Sequence, residues 1–303
     1  MQITKEQVKN WRACTDGYRW FLEKFPQGGA YADVHGALVA DKRFDDARWL
    51  VDKMYRTFLD SAEFIQAETA ATDKMIGELT SMPQPSGQVE GENSSGYNAR
   101  IGSSGYNARI GSSGYNARIG SSGYNARIGS SGDDARIGSS GYNAQIGSSG
   151  YNAQIGSSGD DAQIGSSGYN ARIGSSGYNA RIGSSGYNAR IGSSGYNAQI
   201  GSSGDDAQIG SSGDDAQIGS SGNYAQIGSS GNYARITASG AGSVVACAGS
   251  IQRVVLGEGG CVAVPWHDGE RKRFAVAYVG ENGIEANTPY YLNDEGQFVK
   301  IEE

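Results

Sequence analysis

Two histidines and three cysteines are all that this 303-residue chain offers among the side chains that most often bind transition metals or attack substrates. His35 stands alone in the first part of the chain, where a packed or surface histidine is expected rather than a ligand. Cys247, Cys261 and His267 leave gaps of 13 and 5 residues, which match no common structural-zinc spacing. Cys261, His267 and Asp268 include the residue types of a nucleophile and its base, but only the fold can bring such a pair together. Structural cysteines are therefore the expectation. The chain has no phosphate loop and no dinucleotide fingerprint, so neither a cofactor nor catalysis is expected. No run of 18 or more apolar residues is present, so no transmembrane helix and no membrane insertion are expected. The opening residues lack the apolar core of a signal peptide. The expected location is the cytoplasm of the producing cell, with thiols reduced.

No segment is basic. Residues 1–96 carry 11 Lys and Arg against 15 Asp and Glu (-4), residues 97–240 carry 9 against 8 (+1), and residues 241–303 carry 5 against 9 (-4), which sums to the net charge of -7. That distribution argues against electrostatic capture of nucleic acid, and with it against a helix-turn-helix reading of the first segment.

What the chain has in abundance is period. Residues 97–240 are sixteen consecutive nonapeptides, most often Tyr-Asn-Ala-Arg-Ile-Gly-Ser-Ser-Gly. A fixed short period is the signature of a solenoid. Positions 1 and 2 are Tyr-Asn in ten copies, Asp-Asp in four and Asn-Tyr in two, and position 4 is Arg or Gln. A buried slot would not accept these exchanges, because an unpaired buried charge costs several kcal/mol. Positions 1 and 2 are therefore expected to face water or to sit at a corner, and position 4, long and polar in every copy, to face water. Ala at position 3 and Ile at position 5 are two apart and share one face of a strand. Ser at position 7 is a candidate to point the same way. The Gly-Ser-Ser-Gly segment is expected to turn the chain, with glycine supplying positive φ.

The expected fold class is thus mainly β: a parallel β-solenoid built from nonapeptides, flanked by an α-helical N-terminal domain and a small β C-terminal domain. Its core ladder is Ile101, Ile110, Ile119, Ile128, Ile137, Ile146, Ile155, Ile164, Ile173, Ile182, Ile191, Ile200, Ile209, Ile218, Ile227 and Ile236. One nonapeptide cannot enclose its own isoleucine. Two per coil (18 residues) give a flat roll and three give a triangular section; the small side chains favour two, and eight such coils would make a rod of about 38 Å. A calcium-binding roll is rejected, because it needs an Asp in each copy and twelve of the sixteen copies have none. The candidate partner-binding surface comprises Tyr97, Tyr106, Tyr115 and Tyr124 with Asp205, Asp206, Asp214 and Asp215. The bland alternative is that these ladders only hold the rod together and keep it soluble. A stray cation at the four aspartates is a minor alternative.

At the N-terminus, Thr4 and Gln7 are expected to form a capping pair, and Val8, Trp11, Tyr18, Phe21 and Leu22 have helical spacing, with a break expected at Asp16-Gly17. Further helices are expected at 31–40, at 45–59 with a stripe of Ala47, Leu50, Val51, Met54, Tyr55 and Phe58, and at 61–79 with a more polar character. This domain (1–80) is expected to shield one end of the rod or to oligomerise. Residues 81–96 read as a linker. Residues 241–303 read as a β-rich cap that keeps the terminal strand from stacking on another rod. Hairpin turns are marked by Asp268-Gly269 and Glu281-Asn282-Gly283, and a last hairpin is expected around 294–296.

The stretch from Trp11 to Pro26 resembles a leader module of proteins encoded by tailed phages and enterobacterial prophages. Arrays of the Gly-Ser-Ser-Gly-Asp-Asp-Ala-Gln-Ile kind and the stretch from Phe274 to Tyr290 are similar to the same group of nonapeptide-repeat proteins. The resemblance implies a phage or prophage origin and a bacterial cytoplasm. It transfers no catalytic residue. The expected function is a non-enzymatic scaffold or binding protein that presents a repetitive surface, with a protein partner or self-association through the terminal domains. The alternatives are an inhibitor or regulator of a host defence or DNA-processing protein, and an ice- or glycan-binding surface protein.

Overall fold

The computed structural model describes residues 1–302 except 60, 81–88 and 93–95. Each nonapeptide contributes one short strand, from position 4 to position 7 in all but the last copy. The series runs from β4 (Arg100–Ser103) and β5 (Arg109–Ser112) at nine-residue intervals to β18 (Gln226–Ser229), and ends with β19 (Ala234–Ala238). Each strand pairs in parallel with the strand two copies later, Ile101 beside Ile119 and Ile110 beside Ile128. A coil is therefore two nonapeptides, and the array is a flat roll of two parallel sheets. Every position-5 isoleucine is at most 5 % exposed. Ala at position 3 and Ser at position 7 join it inside, as alternation along a strand requires.

The corners are not built as the glycine count suggests. In all sixteen copies the residue with left-handed backbone is position 2, with φ between 53° and 60°, and no glycine of the array has positive φ. Asn and Asp tolerate that region, which accounts for most of what stands there; Tyr224 and Tyr233 occupy it at φ 56° and 58°. Glycine is needed at position 9 for a different reason. A Cβ on Gly177 or Gly195 would collide with the carbonyl of the equivalent glycine one coil earlier.

The coil geometry continues past the array. β20 (Val244–Cys247) stacks in parallel on β18, β21 (Ile251–Leu256) on β19, and β22 (Cys261–His267) on β20. The eighteen strands β4 to β21 make nine coils. Only then do antiparallel strands close the end: β23 (Lys272–Tyr278) covers β22, and β24 (Pro289–Leu292) covers β21 and pairs with β25 (Phe298–Lys300). The turns at 268–271 and 293–297 fall where the sequence marks them, whereas the chain at Glu281-Asn282-Gly283 crosses from one sheet to the other and makes no hairpin. Of the stretch read as a linker, Val89–Glu92 is a strand, β3, antiparallel to β4; residues 81–88 and 93–95 of that stretch lie outside the described residues.

The N-terminal module begins with a two-stranded ribbon, β1 (Gln2–Ile3) with β2 (Gly29–Ala30). α1 (Lys5–Asn10) starts on the Thr4–Gln7 capping box. The chain breaks before α2 (Thr15–Lys24), where Arg12 is left-handed, so Asp16-Gly17 lies inside the first turn of α2. α3 (Tyr31–Ala40) and α4 (Phe44–Phe58) follow, and the α4 stripe packs into a core with Phe21, Tyr31, Leu38 and Phe64. α5 (Ala62–Thr80) then leaves the module. It does not shield an end of the rod. It lies along the side, against every strand of one sheet from β5 to β17 (Gln217–Ser220). The lengths agree: 19 residues of helix span about 28 Å, and the six inter-strand steps under it span about 29 Å.

Candidate binding surface

The two-repeat coil gives the roll two broad faces of the same chemistry. Outward positions on each are Arg or Gln at position 4, Gly at position 6 and Ser at position 8, so each face is a glycine-floored channel between a long polar row and a serine row. One channel is filled. Along it, Leu79 lies at Gly129 and Gly147, Ile76 at Gly147 and Gly165, Thr72 at Gly165 and Gly183, and Ile65 at Gly219. These glycines are buried, and a Cβ on Gly147 would come within 3.1 Å of the Ile76 backbone. Here glycine serves the close approach of a helix.

The margins of α5 are polar and are satisfied by the walls. On one side Glu68, 1 % exposed, accepts hydrogen bonds from the Arg181 guanidinium and from Tyr31 Oη at 2.7 Å. Arg181 Nη2 also donates to Tyr31 Oη at 3.0 Å, and its Nη1 lies 2.7 Å from His35 Nε2. Burial, and then the Arg181 charge, hold His35 well below the ordinary histidine range, so the ring is neutral and accepts from the guanidinium. On the other side Ser185 Oγ donates to Asp73 at 2.6 Å. The α4 residue Arg48 reaches Asp161 at 3.1 Å. The expectation that position 4 faces water in every copy therefore fails on this sheet: Arg181, Gln199 and Gln217 are 9 %, 6 % and 2 % exposed. A helix from outside the array covers them, which the repeat alone cannot announce.

The opposite channel is open. Its polar row is Arg100, Arg118, Arg136, Gln154, Arg172, Arg190, Gln208 and Gln226, all exposed, and the serine row from Ser104 to Ser230 is exposed throughout. A Cβ built on Gly120, Gly138, Gly156, Gly174, Gly192, Gly210 or Gly228 would meet nothing within 4 Å. Nothing in the fold of the roll requires glycine at these seven positions.

The edges carry the candidate residues read from the sequence. Alternate copies turn at opposite edges, so Tyr97 and Tyr115 stack on one edge with ring centroids 5.2 Å apart, and Tyr106 and Tyr124 on the other at 5.7 Å. Asp205 and Asp206 likewise stand on the edge opposite Asp214 and Asp215, so the four do not converge on a cation. Each Asp-Asp copy instead ends a tyrosine stack. Asp134, Asp161, Asp206 and Asp215 accept the hydroxyls of Tyr115, Tyr142, Tyr187 and Tyr196. The Tyr196 bond is 2.6 Å long, and the bond to Asp206, with its charge, pushes Tyr187 up to about 12. The first aspartate of each pair accepts a backbone N–H one coil on, at 2.7–2.8 Å.

Cys247 is buried in the solenoid core, and burial pushes its thiol up to about 12. Cys261 and His267 begin and end the same extended strand, about 20 Å apart, and His267 Nδ1 accepts from the Gly269 N–H. Among the described residues no three His, Cys, Asp or Glu side chains form a group that could hold a metal, and no helix is long and apolar enough to cross a membrane.

Residues 1–59 match the family model described as the YdhT N-terminal domain. The chain is similar to an uncharacterised protein, YdhT, of Escherichia coli strain K12: 37 % identity over 75 residues, 25 % of this chain and 28 % of that protein. The likeness thus spans little more than a quarter of the relative's length and is confined to one portion of this chain. No solved structure matches.

Proposed function

We propose that this chain is a non-enzymatic scaffold of phage or prophage origin, acting in the bacterial cytoplasm, that holds a protein partner on the open face of its solenoid. The observation that carries the reading is the contrast between two channels of one repeat. One is occupied by α5 through packing against glycine; the other keeps the same glycines, exposed or half-buried and free of any contact that would require them. A row of long polar side chains, five of them arginines, flanks the vacant floor. The separation of Cys261 from His267 and the buried thiol of Cys247 support the non-enzymatic part. The resemblance of residues 11–26 and 274–290 to phage and prophage proteins supports the origin, and the relative from Escherichia coli is compatible with a bacterial host. Partner binding is assigned to the side of the rod rather than to its terminal domains.

The test is affinity capture from bacterial lysate with the wild-type chain and with a Gly156→Leu/Gly174→Leu/Gly192→Leu variant. A stoichiometric protein retained by the first and lost by the second supports the reading. A partner held equally by both places the function elsewhere on the molecule.

A further inference from the structure

We infer that the open channel is a docking site for an acidic amphipathic α-helix of another protein, bound as α5 is bound on the opposite face. The inference rests on the scaffold reading and names the partner's chemistry. The two faces are related by the half-coil step of the repeat, so what fits one fits the other. α5 shows the requirements. Its floor-facing residues Ile65, Thr72, Ile76 and Leu79 are aliphatic or β-branched, three to seven residues apart, and they lie on glycine. Its flanking acids satisfy the walls: Glu68 accepts from the position-4 arginine and Asp73 from the position-8 serine. This is helix-in-groove recognition, with an apolar stripe for affinity and carboxylates for register.

The open face differs from the covered one in charge, and the difference selects the occupant. Its polar row holds five arginines, Arg100, Arg118, Arg136, Arg172 and Arg190, against four on the covered side, Arg109, Arg127, Arg181 and Arg235. On the covered side Glu68 neutralises Arg181. Among the described residues no ion pair joins a carboxylate to Arg118, Arg136, Arg172 or Arg190, and only at the edge of the sheet does a strand, β3, set an acid, Glu92, opposite an arginine of the row, Arg100. A second copy placed channel to channel would set one arginine row near the other and leave the glycine floors unfilled. A helix with Asp or Glu along one margin fills the floor and matches the row, and the spacing of unlike charges sets its direction.

The probe is a fluorescein-labelled peptide of residues 61–80, which carries a net charge of -3 from Glu63, Glu68, Asp73, Glu78 and Lys74. It is titrated against the full-length chain by fluorescence anisotropy. The expected result is saturable 1:1 binding that weakens at least tenfold in Gly174→Leu/Gly192→Leu and in Arg172→Glu/Arg190→Glu, and weakens with added salt. The leucine variant should keep the wild-type circular dichroism and melting temperature, because no atom occupies the space its side chains enter. Three results overturn the inference: no saturable binding, binding unchanged by the leucines (the peptide then exchanges with α5 on the other face), or a channel-to-channel dimer in sedimentation that the leucines dissolve. A lysate partner lost from the leucine variant, with no peptide binding, would sink the helix while leaving the scaffold reading intact.

Discussion

Glu68→Gln is the substitution whose consequence follows most directly from the structure. The carboxylate is buried, faces the Arg181 guanidinium and takes a second hydrogen bond from Tyr31. The amide keeps the shape but removes the charge, leaving Arg181 buried with two neutral partners, Tyr31 and His35. Breaking a buried pair by removing one partner costs about 3–5 kcal/mol. A cavity of about 550 Å³ beside Arg181 and His35 has room for water, which places the expected loss near the lower figure, about 3 kcal/mol. Arg181→Gln removes the other partner using a residue that the repeat already places at Gln199 and Gln217. The double variant buries no charge and should fall within about 1 kcal/mol of the wild type, since buried pairs are often replaceable by neutral groups at little cost. The assay is urea unfolding followed by Trp11, Trp20 and Trp49 fluorescence in a Trp266→Phe background, with the four proteins forming a double-mutant cycle. A Glu68→Gln loss below about 1 kcal/mol, or strictly additive single effects, would refute the view that this pair locks α5 onto the roll.

Three further outcomes are expected. Gly165→Leu, whose side chain would enter Thr72 and Ile76, should cost about 2 kcal/mol or more, whereas Gly174→Leu on the open face should change stability by less than about 0.5 kcal/mol; thermal melts of the two variants decide it. Tyr233→Asn should stabilise the last copy by about 1 kcal/mol, because Asn tolerates the left-handed backbone that Tyr holds at φ 58°; urea unfolding followed by far-UV dichroism should show a later midpoint. His35 is neutral in the fold and has its pKa depressed, so below pH 6.5 the unfolded chain binds more protons than the folded one. Stability is therefore complete above that pH and falls as pH drops toward the folded value, by up to about 1.4 kcal/mol per unit. Stability measured from pH 7.5 to 5 should show this slope, and His35→Gln should flatten it.

The roll itself was legible in the sequence because its determinants are local. Ile at position 5 and Ala at position 3 alternate with polar positions, and a stack of parallel strands hides all sixteen isoleucines. The helices at 31–40 and 44–58 were legible for the same reason, each from its own apolar residues. What escaped is what depends on pairing across the fold. α5 read as a polar helix, yet Glu68, Thr69 and Thr72 point inward, because the face it meets is glycine and arginine rather than hydrocarbon. The positive φ at position 2 was carried by Asn, Asp and Tyr while the glycines served packing. The Asp-Asp copies looked like an acidic patch until the corners separated them and paired each with the tyrosine one coil before. Read at a period of 18 rather than 9, position 4 divides into two rows with five and four arginines. That division was available in the sequence once two copies per coil were adopted.

The separation of the array into two faces, one covered by α5 and one open, is tested most directly by a spin-label distance. Ser122 and Ser212 are both exposed at position 8 of the open face, and their separation of 90 residues is five coils of 18. Labels on Ser122→Cys and Ser212→Cys, in a background lacking the three native cysteines, should give a narrow distance distribution near 24 Å, five steps of ~4.8 Å. A broad distribution, or a mean well away from 24 Å, as three nonapeptides per coil would give by making ten repeats three and one-third coils with the labels on different faces and an axial rise of only about 16 Å, would contradict the two-faced roll.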